Sequence, residues 1–260
     1  MAELTRAEER LLFGLRRRAY REERGLFLAE GVRVAEELVR GGLDIELAVV
    51  APSLEDSPRG GELARQLAAR TSLRRVPEGE IRRLASTDSP QGILIAAATP
   101  RASLAALELP DRALLLLLDG VQDPGNFGTL VRSADAFSAA AVMALTGTVD
   151  PWNPKAVRAA AGSSFHVPIV LAETQEAMDW LKVRKFAILA ADTEGRPIEG
   201  MRRADRVALV VGNEGAGVSE VCRAAATDIV AVPITGAAES LNVGVAAGIL
   251  LYLLNRPARA

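Results

Sequence analysis

Three short stretches of this chain place hydrogen-bonding side chains at strand-to-helix turns. In LLDGVQDPGNFGTLVRSADAF, residues 117–137, an apolar run passes through Asp123, Pro124 and Gly125 into a helical pattern carried by Leu130, Val131, Ala134 and Phe137. Asn126 and Arg132 then fall at the carboxyl end of a strand and on the first turns of the next helix, where open parallel sheets bind ligands. LVVGNEGAGVS, residues 209–219, repeats the arrangement with a glycine-rich turn around Glu214, open to close approach by a ligand. VPITGAAESLNVGVAAGILLYLL, residues 232–254, does so again, with Glu239, Ser240 and Asn242 opening a long apolar helix. A plainer account stands beside this one: Asn126, Ser240 and Asn242 cap helices, Arg132 is a solvated helix residue, and Glu214 is a turn carboxylate favouring the helix after it.

The elements that must position these residues are legible at low resolution. Leu114 to Leu118 form an apolar run short enough for a strand buried on both faces. Further strands are expected near 140–145, 167–171, 186–191, 207–211 and 228–232, with helical segments between them, which describes a parallel α/β domain. Before it, a helix over 4–21, strands over 47–50 and 92–98, and helical patterns near 30–40, 62–70 and 78–85 suggest a second, smaller α/β domain. Thr99 to Pro110, with two prolines, is the expected linker.

Composition narrows the chemistry. The 260 residues suit two domains, and 49% hydrophobic content supplies a sizeable core. Cys222 is the single cysteine and His166 the single histidine, so no internal disulfide, thiolate cluster or His-rich metal site is expected. Cys222 reads as a small buried helix residue, and His166 as a structural residue opening a strand. The longest apolar run, Val243 to Leu254, falls short of the roughly 20 residues of a membrane span, so a cytoplasmic protein is expected. Net charge is −2, yet the first 106 residues carry 17 basic side chains, all arginine, against 16 acidic ones. Arginine forks suit bidentate phosphate contacts, although residues such as Glu22 and Glu23 lace the same helical face.

Taken together, in order and spacing, the three stretches resemble the motifs of the SpoU/TrmH class of RNA ribose 2′-O-methyltransferases, part of the SPOUT superfamily. KAVRAAAGSSFHVPIV, residues 155–170, is similar to the same class, and RRRAYREERGLFLAEGVRVAEELV, residues 16–39, more loosely resembles its small substrate-binding domain, related to ribosomal and kink-turn-binding proteins. The resemblance implies an RNA substrate-binding domain over 1–103 and a methyltransferase domain over 104–260, with a mostly parallel sheet. Periodicity alone favours an ordinary dinucleotide-binding fold, since knotted chains are rare; the resemblance instead implies a deep trefoil knot. It also implies S-adenosylmethionine as cofactor, RNA as partner and a homodimer; no metal is expected, on the cysteine and histidine counts above. Arg132, Asn126, Glu214, Ser240 and Asn242 are the implied catalytic set, and Gly212, Val232 and Leu241 the implied cofactor contacts. Arg132 would act on the 2′-hydroxyl with help from an RNA phosphate, or position that hydroxyl for in-line displacement. Gly244 departs from the serine that many members carry after the SLNV run.

With an amino-terminal domain of about 100 residues, the chain resembles the ribosomal-RNA-directed members of the class more than the transfer-RNA ones with short extensions, which implies ribosomal RNA, 23S in particular, with transfer RNA as the alternative. Two other functions fit parts of the chain: a catalytically silent RNA-binding module of the same fold, and a nicotinamide-dependent oxidoreductase. The intact polar set argues against the first. The second lacks a G-x-G-x-x-G turn after the strand at 114–118.

Overall fold

Thr5 starts helix α1 (Arg6–Gly14) with a reciprocal capping box, its backbone N–H donating to Glu8 at 2.8 Å while its hydroxyl accepts from the Glu8 N–H. The computed structural model describes residues 4–199, 201 and 203–255. The single helix expected over 4–21 is broken, and α2 (Arg18–Arg24) forms a separate element. The Tyr20 ring of α2 packs so tightly on Gly14, the last residue of α1, that a Cβ there would lie 2.4 Å from it.

Residues up to Pro100, together with Trp152–His166, form one unit; Arg101–Pro151 with the residues from Val167 on form the other. A single cut at 103/104 does not anticipate the excursion of 152–166 into the first unit. Apolar packing explains it: Trp152 and Val157 join Phe27, Leu38 and Ile95 in one core, with the Trp152 and Phe27 rings 5.0 Å apart. Helix α8 (Pro154–Ala160) therefore belongs to the first unit. His166 closes a short 3-10 turn, Ser163–Phe165, and its Nε2 lies 3.3 Å from Glu37 Oε2, so it does not open a strand.

The first unit's sheet is mixed. Strand β1 (Leu26–Glu30) and β2 (Ile45–Val50) flank β4 (Ile93–Ala98) antiparallel, and β3 (Leu73–Arg75) pairs with β2 in parallel. Helices α3 (Val32–Arg40), α4 (Pro52–Glu55), α5 (Pro58–Ala68) and α6 (Glu78–Leu84) complete it.

Among its described residues the second unit contains six strands: β5 (Ala113–Asp119), β6 (Ala141–Leu145), β7 (Ile169–Ala172), β8 (Ala187–Pro197), β9 (Arg206–Gly212) and β10 (Asp228–Ala231). Their order is β10-β8-β9-β5-β6-β7, and every pairing is parallel. All seven residues of β5 are buried, as a strand covered on both faces requires. Leu115 and Leu117 share a core cluster with Met178 and Leu181 of α9 (Thr174–Val183) and Cys222 of α10 (Glu220–Ala225).

Helices α7 (Pro124–Ala136) and α11 (Val243–Asn255) pack against each other. Thr129 faces Gly244, Ser133 faces Gly248, and the rings of Phe137 and Tyr252 lie 5.8 Å apart. This ladder follows the four-residue spacing of one helix face. No helix among the described residues is long and apolar enough to cross a membrane.

Candidate active site

The first polar cluster forms where β5 gives way to α7. Asp123 caps α7, its side chain accepting from the Asn126 N–H at 2.8 Å, and Pro124 follows in the first turn. Asn126 is therefore not the cap expected from the sequence but lies one turn in, which leaves its amide side chain available for other partners.

Those partners come from the other two polar stretches. Asn126 Nδ2 donates to Glu214 Oε1 at 2.9 Å, and Asn242 Nδ2 donates to Asn126 Oδ1 at 3.0 Å. Both amides are used at both ends, because Asn242 Oδ1 also accepts from the Gly244 N–H at 2.9 Å at the start of α11. Glu214 accepts further from the backbone N–H groups of Gln122 and Asp123, each at 3.2 Å. Burial by itself would push this carboxyl up; the hydrogen bonds from the Asn126 side chain and from the N–H groups of Glu214, Gln122 and Asp123 outweigh it and hold it below its ordinary range. Glu214 thus pairs with Asn126.

A cavity of about 470 Å³ lies beside this chain of bonds, at the carboxyl ends of β9 and β10 and the middle of β8. Gly212, Val232, Ser240 and Leu241 all line it, as do Glu214 and Asn242. Its walls combine apolar cover from Val211, Val230 and Leu250 with the exposed backbone of a glycine-rich turn, a lining that suits a flat apolar ring bearing polar edges. Ser240 is exposed at the rim. Arg132 is exposed on α7 and does not line the cavity.

Gly212 lines the cavity and also faces the protein's own turn. A Cβ at this position would lie 2.1 Å from the Gly217 carbonyl carbon and 2.3 Å from the Val218 nitrogen. The close approach that demands glycine is made by the protein's own turn.

Two organising residues escape the sequence reading. Asn213 accepts at Oδ1 from the N–H groups of Gly215 and Ala216, both at 2.9 Å, and donates from Nδ2 to the Gly120 carbonyl at 2.8 Å. Asp119, buried at the end of β5, accepts from the Ser219 N–H at 2.7 Å. Between them they join the ends of β5 and β9, adjacent strands in the sheet. An asparagine directly after a buried strand and before two glycines is the available signal for the first. A lone carboxylate ending an apolar strand is the signal for the second. Cys222 is removed from any nucleophilic role, since burial, with a further push from Asp119, raises its thiol to about 12 against a smaller opposing effect of the Ser219 hydroxyl.

Comparison with known proteins agrees with this geometry. Residues 113–252 match the SpoU rRNA Methylase family, and residues 10–95 match an MRM3-like substrate binding domain. The 23S rRNA (guanosine(2553)-2′-O)-methyltransferase RlmP of Bacillus subtilis is 35% identical over 90% of each chain. Among solved structures, the SpoU methyltransferase AviRb from Streptomyces viridochromogenes, in complex with the cofactor AdoMet, superposes with a TM-score of 0.87 at 28% identity, over 96% of this chain and 97% of that one. An AdoMet-bound rRNA methyltransferase from Sinorhizobium meliloti gives 0.86 at 27% identity, over 100% and 98%. With a family match spanning more than half its length and a relative aligned over nine-tenths of it, the chain belongs to the SpoU rRNA methylase family.

Proposed function

We propose that the protein is an S-adenosylmethionine-dependent RNA methyltransferase that modifies a ribose 2′-hydroxyl of ribosomal RNA, 23S in particular. The observation that carries the proposal is the bonded series Glu214–Asn126–Asn242 at the rim of the cavity. Relatives named as 23S rRNA 2′-O-methyltransferases and AdoMet-bound neighbours support it.

Gly212, Val232 and Leu241 would hold the cofactor, which supplies an electrophilic methyl group when bound. Alignment is then the chief demand on the chain, because in-line displacement depends on how squarely the hydroxyl oxygen faces that methyl. Asn126 and Asn242, each locked at both ends of its amide, fix the starts of α7 and α11 on either side of the rim. Glu214 keeps its negative charge and secures the turn after β5. Ser240 stands at the rim, where its hydroxyl can meet ligand. Arg132 binds the RNA phosphate and turns the 2′-hydroxyl toward the cavity; a guanidinium's planar donor fork matches a phosphate, so positioning suits it better than taking the proton.

Arg132 lies outside its own chain's cavity, which favours a site completed by a second copy. The dimer would use α7 and α11. Val245 and Tyr252, seven residues apart on one face of α11, are 51% and 45% exposed, more than large apolar side chains of an isolated unit usually are. In this reading the carboxyl-terminal unit carries the deep trefoil knot, and the first unit, akin to ribosomal and kink-turn-binding proteins, holds RNA in the cytoplasm.

The direct test incubates the purified protein with labelled AdoMet and ribosomal RNA, then maps 2′-O-methyl positions. Methyl incorporation at a discrete ribose is expected. Cofactor binding without transfer to any ribosomal or transfer RNA would favour the catalytically silent module, and no cofactor binding would overturn the proposal.

A further inference from the structure

Strand β8 does not follow β10 evenly. Ile229 pairs with Ala190 and the next residue, Val230, pairs with Arg196, so residues 191–195 leave the ladder as a wide bulge. Pairing of β8 with β9 also ends at Ala190. The gap opened in this way lies at the cavity, and Ala191, Asp192 and Thr193 of the bulge line it. Rejoining β10 requires Gly195, where a Cβ would stand 2.6 Å from the Val230 carbonyl carbon.

Asp192 is the anchored point of the bulge. Its Oδ1 accepts from the Glu194 N–H at 3.0 Å, which closes a local turn, and its Oδ2 pairs with the guanidinium of Arg223 on α10. The carboxylate side chain is only 15% exposed, so removing its partner would leave a desolvated charge facing a ligand cavity. Arg223 itself does not line the cavity. Any influence it has on a ligand must pass through Asp192.

We infer that Arg223 is a positioning residue for the cofactor: by pinning Asp192 it fixes the 191–195 bulge as one wall of the cavity, and so sets cofactor affinity and not the rate of methyl transfer. The inference rests on the cofactor reading above. It separates from a role in folding by the quantity affected. Lost folding lowers the active fraction, and with it kcat, while the surviving molecules bind normally; a displaced wall weakens binding and leaves turnover at saturation intact.

The test measures AdoMet binding by calorimetry, and KM and kcat with ribosomal RNA, for the parent, Arg223→Ala and Arg223→Lys. Arg223→Ala should raise both Kd and KM for AdoMet about tenfold or more with kcat at saturating cofactor within about twofold of the parent. Arg223→Lys keeps a cation within reach of Asp192 and should recover most of the affinity. A Kd for Arg223→Ala within about twofold of the parent, or a fall in kcat at constant KM, overturns the inference while leaving the cofactor reading intact. A parent protein that does not bind AdoMet overturns both.

Discussion

Replacing Gly212 with alanine adds one methyl group, and the structure specifies what that group meets. Its Cβ would stand 2.1 Å from the Gly217 carbonyl carbon, where ordinary contact begins near 3.4 Å, so the turn must retreat by more than an ångström. Two backbone bonds close this turn, from the Asn213 N–H to the Gly217 carbonyl and from the Gly217 N–H to the Asn213 carbonyl, both at 2.9 Å. Losing both at about 1 kcal/mol each, with about 1–3 kcal/mol for the strain of an overpacked site, costs roughly 3–5 kcal/mol. Because Gly212, Asn213, Glu214 and Gly217 all line the cavity, the deficit should appear as a weakening of AdoMet binding by about thirtyfold or more. Titration calorimetry and thermal melting measure the two effects. Gly215→Ala is the stability control, since its Cβ would rest at an ordinary 3.6 Å from Asn213 Oδ1 and should change Tm little. Gly212→Ala binding AdoMet within about threefold of the parent, at unchanged Tm, would refute the claim that strand end and turn are locked together.

Arg132→Ala should leave AdoMet affinity nearly unchanged and reduce methyl transfer at least about a hundredfold in a single-turnover assay, as loss of a substrate-positioning group predicts. Glu214 titrates below its ordinary 4.5 in the folded protein, so its stabilising contribution is fully present above that value and is lost as pH falls through the folded value. Melting curves of the parent and Glu214→Gln should accordingly differ near neutrality and converge at acid pH; a gap that persists there would contradict the assignment. Gly244→Ser places a Cβ 2.9 Å from the Thr129 methyl and should destabilise the α7–α11 contact by about 1–3 kcal/mol, with partial recovery in a Gly244→Ser, Thr129→Ala double variant. Tyr252→Glu should shift the protein toward monomer in sedimentation at micromolar concentration; a parent that already sediments as an active 27.5 kDa species would remove the dimer from the proposal.

The parallel sheet was legible because β5, β6 and β9 are carried by continuous apolar runs, Ala113–Leu118, Ala141–Leu145 and Val207–Val211, the pattern of strands covered on both faces. Two strands of the first unit carried no such signal. β1 offers a short apolar stretch between Gly25 and Gly31, and β3 is three residues, two of them arginine, at a sheet edge. Their place is fixed by pairing partners distant in the chain, Ala98 to Leu94 for β1 and Ala48 to Val50 for β3, and no local periodicity reports such partners. The same limit explains Trp152–His166. Its helix was readable, but its membership in the first unit depends on Trp152 meeting Phe27, a contact between residues far apart in sequence.

The polar residues behaved in the opposite way: their identities were readable and their bonding was not. Asparagine, glutamate and asparagine at three turns are compatible with three separate caps, and only one of the three, Asn242, accepts the N–H groups that open its helix. Asp123 takes over the cap of α7, and that exchange is what frees Asn126 to join residues 88 and 116 positions away. A cap satisfies a helix end with one oxygen. An amide that both donates and accepts can connect two other segments and hold their separation to a few tenths of an ångström. The spacing of DPGN, aspartate three residues before asparagine with proline between them, therefore has a physical reason that goes beyond starting a helix. Proline sets the first turn, aspartate satisfies it, and asparagine is left to tie the turns after β5 and β9 and the start of α11 into one site.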